Sequence, residues 1–411
     1  MRRYTFYLLI ILIVILGVYL YLCPPYFLPK VKVSEDRQGE FHLLVERYPF
    51  IFKPFIIKGT CYNPTPIGEG YNYEFWSNSL APWRIDAVLL EDMGANTIRV
   101  YKAAENPQDT KDVIKYFCEN HGVRTMLGHW LGYWEYPFPG YADQDFREKI
   151  KKSVLKMVRE YKDTPGLLMW VLGNENNKSF GLSPEPFWTT PEIEKLETLA
   201  EKNRAKARIY YSFVDELAGQ IKELDPNHPV AFSNAGLAGL GVASSMMKNV
   251  DIVALTIYRG KTLSSVFKAV HELMELPVVI IEFGCPRFDD VKSEEVQDIQ
   301  ADFIVSQWQD IQKNLASGTG FGNALGGVVF EWTDEWWKYN SYDIKSWYYH
   351  NTEPSWSSGG YYFDIQAKDN LNMNEEWWGI VSISPGEDSL DIRIPTQAYY
   401  ELKRIWQNLY K

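Results

Sequence analysis

The sequence is short of the residues that carry metal and redox chemistry. Its 411 residues include four cysteines and six histidines, with no C-x-x-C, H-x-H or H-E-x-x-H spacing among them. That excludes a zinc ribbon, a dense disulfide framework and the common metallohydrolase sites, and no cofactor is called for. Cys23 adjoins an apolar N-terminal segment, Cys61 and Cys285 fall just past predicted strands, and Cys118 lies within a predicted helix, which leaves room for one bridge at most. A basic run is also lacking. With a formal charge of -11 the chain has no electrostatic footprint for nucleic acid. No internal repeat and no low-complexity tract is present.

Aromatic residues, in contrast, are plentiful. They make up 15% of the chain, with 15 Trp and 27 Tyr, and many fall in loop-like stretches where a core does not account for them. Rings outside a core suit stacking on sugar faces or the packing of long loops.

The one long apolar run is at the start. Phe6 to Leu22 carries no charge and is just long enough to cross a bilayer as a helix. No small-x-small cleavage site follows, so a retained anchor is favoured over a cleaved signal peptide. Arg2 and Arg3 then place the remainder outside the cytoplasm. Residues 1–25 are read as this anchor, 26–47 as a stalk or short lead-in strand, and 48–411 as the catalytic domain.

Strand and helix patterns alternate through that domain. Apolar β-branched runs at about 54–62, 97–101, 124–128, 165–172, 230–233, 251–257, 278–281 and 327–330 are separated by helical stripes, the last at about 396–409. Eight strand–helix steps predict an α/β (β/α)8 TIM barrel, with an insertion at about 178–202 and a long aromatic-rich one after strand eight, at 333–395, containing a hairpin near 378–394. Two strands end in carboxylates. Leu167 to Leu172 is apolar on both alternating faces and breaks at Gly173 into Asn174-Glu175; Val278 to Ile281 ends at Glu282. Strand-end glutamates far apart in the chain are what a barrel enzyme uses to set an acid and a nucleophile around one sugar bond. Arg99 sits among apolar neighbours in strand two and needs a carboxylate partner. His129, Trp130, Tyr133 and Trp134 follow strand three and are expected to wall a ligand; Tyr258 and Trp332 stand just beyond strands six and eight.

The stretches FIIKGTCYNP, MGANTIRVY, GLLMWVLGNE, ALTIY, PVVIIEFG and GVVFEWTDEWWK together resemble the clan A glycoside hydrolases, and within them the catalytic barrel of family 2. The resemblance spans about Phe55 to Trp337. It implies that Glu175 is the acid/base and Glu282 the nucleophile, that Asn174 binds the sugar 2-hydroxyl, and that Arg99 and Tyr258 support Glu282. It further implies that Trp332 floors the first subsite and that His129 lies at the pocket. No β-sandwich pattern precedes the barrel, so the resemblance extends to barrel-only glucan hydrolases and glucan-remodelling transglycosylases.

A retaining mechanism needs the two carboxylates in different protonation states and about 5–5.5 Å apart. Arg99 and Tyr258 are expected to keep Glu282 ionised, and an apolar neighbourhood including Trp170 to keep Glu175 protonated. The expected activity is hydrolysis of a β-linked oligo- or polysaccharide. The alternatives are transglycosylation on the same site and a membrane-tethered carbohydrate-binding barrel without turnover.

Overall fold

A computed structural model of the chain describes residues 7, 9–13, 16–17, 28–132, 140–180, 188–289, 292–352, 374–386 and 390–409. The expected membrane span therefore lies largely outside the described residues. Among those that are described, no helix is long and apolar enough to cross a membrane.

Three antiparallel strands come first: β1 (Val31–Glu35), β2 (Phe41–Tyr48) and β3 (Ile51–Pro54). They are not a stalk, and the boundary expected at residue 48 falls at the end of β2. Val31, Leu43 and Val45 are buried in one cluster with Ile57, Leu168, Ala231 and Ile252. A free stalk would leave these side chains in water, at a cost of about 1.5–3 kcal/mol for each large one. Val31 N donates to Asn227 O and Phe41 N to Gly322 O, each at 2.8 Å. Both carbonyls precede barrel strands, so the sheet closes the N-terminal end of the barrel.

The barrel strands are β4 (Ile57–Cys61), β5 (Thr97–Val100), β6 (Arg124–His129), β7 (Leu167–Leu172), β8 (Val230–Ala235), β9 (Ile252–Thr256) and β10 (Val278–Phe283). A two-residue ladder, β11 (Phe288–Asp289) with β12 (Glu294–Glu295), precedes the last of them, β13 (Ala324–Val329). β13 pairs in parallel with both β10 and β4, which closes an eight-stranded barrel in chain order. Outside it run α1 (Trp83–Met93), α2 (Pro107–His121), α3 (Gln144–Tyr161), α4 (Pro191–Glu194), α5 (Leu199–Leu224), α6 (Leu240–Met246), α7 (Ser264–Leu273), α8 (Gln297–Lys313) and α9 (Gln397–Trp406). Helix starts follow local chemistry. Asn106 and Asp143 cap α2 and α3, and Thr198 with Glu201 forms a capping box that starts α5 earlier than the expected residue 203. The short α6 is not visible in the sequence as a helical stripe.

Strand alternation sorts the apolar residues into two cores. Ile98, Leu127, Val253 and Val329 pack outward against the helices, while Ile57, Met126, Ala254 and Val328 fill the barrel. Beyond β13 the chain forms the expected hairpin, β14 (Val381–Ser384) with β15 (Ile392–Pro395). Arg287 pins this region down, bonding the buried carboxylate of Asp334, Gly379 O at 3.1 Å and Ser382 Oγ at 2.9 Å. Trp336, His350, Trp377 and Phe288 stack in series, with centroids 4.8, 3.5 and 4.9 Å apart. Several rings that lie outside the core thus pack the long segment itself. Cys61, Cys118 and Cys285 are free thiols, and Cys23 lies outside the described residues.

Candidate active site

Arg99 and Tyr101 share the inner face of β5 and its continuation, two residues apart as strand geometry requires. Arg99 is 1% exposed. Its Nη1 donates to Glu282 Oε1 at 2.5 Å, and its Nη2 donates to Asn174 Oδ1 at 2.6 Å. Tyr101 Oη donates to Glu282 Oε1 and Tyr258 Oη to Oε2, both at 2.9 Å. Glu282 thereby accepts three charge-assisted or hydroxyl bonds while only 6% exposed. These donors offset the burial of the carboxylate with hydrogen bonds.

Alternation alone sends Glu282 the other way. Val278 and Ile280 of β10 belong to the outer core and Val279 and Ile281 to the inner one. A register irregularity between Ile280 and Glu282 against β9 breaks the sequence of faces and turns the carboxylate into the mouth. Re-aiming a side chain beside a site is a common use of such irregularities.

Glu175 is presented by a tight turn. Gly173 has φ +82°, its N–H donates to His129 O at 2.8 Å, and a Cβ there would lie 2.4 Å from Asn176 Oδ1. Asn176 Oδ1 accepts from Asn174 N at 2.6 Å, and its Nδ2 donates to Trp130 O at 3.0 Å and Tyr141 Oη at 2.7 Å. Glu175 itself has φ +57°, a conformation that costs a non-glycine residue energy and persists where the surroundings dictate it. Lys178, one turn on, donates to its Oε2 at 2.6 Å. Burial raises the Glu175 carboxyl above the usual range; Lys178 opposes this and the charge on Glu282 adds to it. Trp170, expected beside Glu175, instead faces the helices and donates Nε1 to Asp225 at 2.8 Å.

Glu175, Glu282, Asn174, Arg99 and Tyr258 are thus brought together, and the half-buried Trp130 stacks on Tyr101 with centroids 5.1 Å apart. Two expected pocket residues are not. His129 lies on the same face of β6 as Leu127, toward the helices: its Nδ1 accepts from Leu131 N, and Nε2 meets Ser153 Oγ of α3 at 2.9 Å. Burial pushes its imidazole down to about 4. Trp332 is 1% exposed and packs in the outer core, its ring 6.4 Å from that of Tyr399 on α9. The aromatic ring that β13 turns inward is that of Phe330, 6.2 Å from Tyr258 and 5.4 Å from Trp378. Tyr133 and Trp134 lie outside the described residues.

Sequence reading also missed several groups. Tyr101 was signalled by its two-residue offset from Arg99, and Lys178 by its i+3 spacing from Glu175. No spacing rule announces Glu331, Glu335 and Lys338, which follow Phe330; Lys338 Nζ lies 5.3 Å from the Phe330 ring centroid and donates to Glu335 at 2.7 Å.

No family model matches the chain. A curated β-glucuronidase of Bacteroides fragilis is 29% identical over 119 residues, which cover 28% of this chain and 16% of that protein. Among solved structures, the β-D-glucuronidase of Dictyoglomus thermophilum superposes with a TM-score of 0.56 at 15% identity, over 92% of this chain and 53% of that one. A family 2 β-galacturonidase of Eisenbergiella tayi bound to galacturonate gives 0.54 at 16%, over 92% and 54%. The fold is the one these glycosidases carry. This chain spans about half the length of each of those two structures.

Proposed function

We propose that the chain is a retaining β-glycosidase that hydrolyses a β-linked oligo- or polysaccharide by double displacement at Glu282 and Glu175. The observation that carries this reading is the opposite treatment of the two carboxyls. Glu282 is surrounded by donors, whereas Glu175 is buried and raised. In the first step Glu282 attacks the anomeric carbon as Glu175 gives its proton to the departing glycosidic oxygen. A covalent glycosyl ester results. In the second step Glu175, now a carboxylate beside Lys178, takes a proton from water, which attacks the same carbon and releases Glu282. Asn174, its Oδ1 taken by Arg99, offers its amide N–H to a sugar hydroxyl.

The chain is further proposed to be tethered to a membrane by residues 6–22, with the barrel outside the cytoplasm. In support, Tyr7, Leu9 to Ile13 and Leu16, the large apolar residues described there, are all exposed, at 41–62%. Partition of the full chain into the membrane pellet after alkaline extraction is the expected result; release into the supernatant would remove the tether.

The enzymatic test is incubation with a panel of β-linked oligosaccharides, followed by product masses and anomeric configuration, with Glu282→Gln as control. Shortened products of retained configuration, absent in the control, are expected. Inverted configuration would refute the mechanism, and products longer than the substrate would assign a transglycosylase. Equal binding without turnover in both proteins would leave a binding barrel.

A further inference from the structure

Over the barrel mouth stands a group of charges that double displacement does not use. Glu331 follows Phe330, whose backbone N–H donates to Phe283 O at 2.8 Å, one residue past Glu282. Lys338 sits above the Phe330 ring, with Nζ 2.7 Å from Glu335 and 3.2 Å from Glu375. Glu331 and Glu335 are 3% and 4% exposed. The group is close enough to the reacting pair to be felt there: the Glu282 charge contributes to raising Glu335, and the Glu375 charge to raising Glu175.

The cluster is more than a solvated acidic face. Glu331 Oε1 is buried and has no hydrogen-bond partner among the described residues. Its strongest charged neighbours are Glu335 and Lys338, so this oxygen lies within the cluster. A buried polar atom without a partner costs about 1–3 kcal/mol, and a bound hydroxyl would relieve it. Among the described residues, the cations around the reacting pair are already committed. Arg99 is paired with Glu282, Lys178 with Glu175, and Lys338 with both Glu335 and Glu375.

We propose that this site takes uncharged sugars and discriminates against hexuronates, because the Glu331–Glu335–Lys338–Glu375 cluster offers three carboxyls against one lysine and, among the described residues, no unpaired cation to the substrate. The structural neighbours include a β-D-glucuronidase and a β-galacturonidase. On this chain a uronate carboxylate would meet Glu335 and Glu375, a like-charge juxtaposition of the kind that suppresses wrong partners. A neutral hydroxymethyl or ring hydroxyl meets hydrogen-bonding groups without that repulsion. Glu331 is placed to hydrogen-bond such a hydroxyl.

The inference rests on the glycosidase reading, and the test separates the two. The full chain is assayed with matched pairs of substrates: β-glucosides and β-galactosides, as aryl glycosides and as oligosaccharides, against the corresponding β-glucuronides and β-galacturonides. A kcat/KM at least about 100-fold higher for the neutral members is expected, since like-charge contacts cost several kcal/mol. Glu335→Gln should raise the uronide-to-neutral ratio about tenfold by removing one of the facing carboxyls. Equal or better turnover of uronides would overturn the specificity and leave the glycosidase standing. A ratio unmoved by Glu335→Gln would show that the cluster is not its cause. No turnover of either class would remove both readings.

Discussion

Arg99 and Glu282 form the most consequential pair in the molecule, and a double-mutant cycle tests whether they act as one unit. Arg99→Met leaves Glu282 buried with two tyrosine hydroxyls and no countercharge, and it strips Asn174 Oδ1 of its donor. Breaking one side of a buried pair costs about 3–5 kcal/mol. Glu282→Gln keeps an acceptor for the tyrosines but leaves the 1%-exposed guanidinium unpaired, so a loss of similar size, about 3–5 kcal/mol, is expected. In Arg99→Met/Glu282→Gln neither charge remains, and the tyrosines can still donate to the amide oxygen. The double variant should therefore be no less stable than either single one, with a coupling energy of roughly 3 kcal/mol or more where independent sites add to within about 0.5 kcal/mol. Urea midpoints and slopes of the four proteins at neutral pH provide the measurement. Additive losses would show that the 2.5 Å contact is not an energetic pair. The view that Arg99 holds the Glu282 carboxylate in place for attack would then fail at its base.

Four other substitutions probe separate parts of the molecule. Lys178→Met removes the cation that opposes the raised Glu175, so Glu175 should keep its proton to higher pH and the basic limb of kcat/KM should move upward; a downward or absent move would exclude Glu175 as the acid. Glu376, buried beneath the long loop, is raised by burial from its ordinary 4.5 to about 8. A raised carboxyl contributes stability that is complete below the ordinary value and is lost as pH rises through the folded one. Between these limits the urea midpoint should fall with pH, by a ceiling of about 5 kcal/mol at about 1.4 kcal/mol per unit, and Glu376→Gln should flatten that slope. Finally, Trp332→Phe should lower stability by about 1–3 kcal/mol through the cavity it leaves in the outer core, with KM unchanged, whereas Phe330→Ala should raise KM. The reverse pattern would restore Trp332 to the pocket.

The barrel was legible in the sequence because its signal is periodic. Runs such as VVIIEF and TIRVY carry strand character over their whole length, and the order of strands follows once they alternate with helical stripes. The N-terminal sheet was not legible, since FHLLVERY pairs with IFKP and covers the barrel floor through contacts distant in sequence. Within the site, alternation places a residue only while the strand stays regular. It correctly puts Arg99, Tyr101 and Tyr258 on the inner face, and it explains why His129, in step with Leu127, turns away. It fails at Glu282, where the irregularity after Ile280 reverses the face. It also gives no guide past the end of β13, where Phe330 rather than Trp332 enters the inner core. The motif places Glu282 beside Arg99 and Tyr258, as it stands in the structure, because a motif carries the irregularity along with the residue. It failed for Trp332, where the ring alone could not say which residue of the strand-end turn faces inward. Glu282, Phe330 and Trp332 all lie at strand ends, where backbone regularity stops and the chemistry is placed.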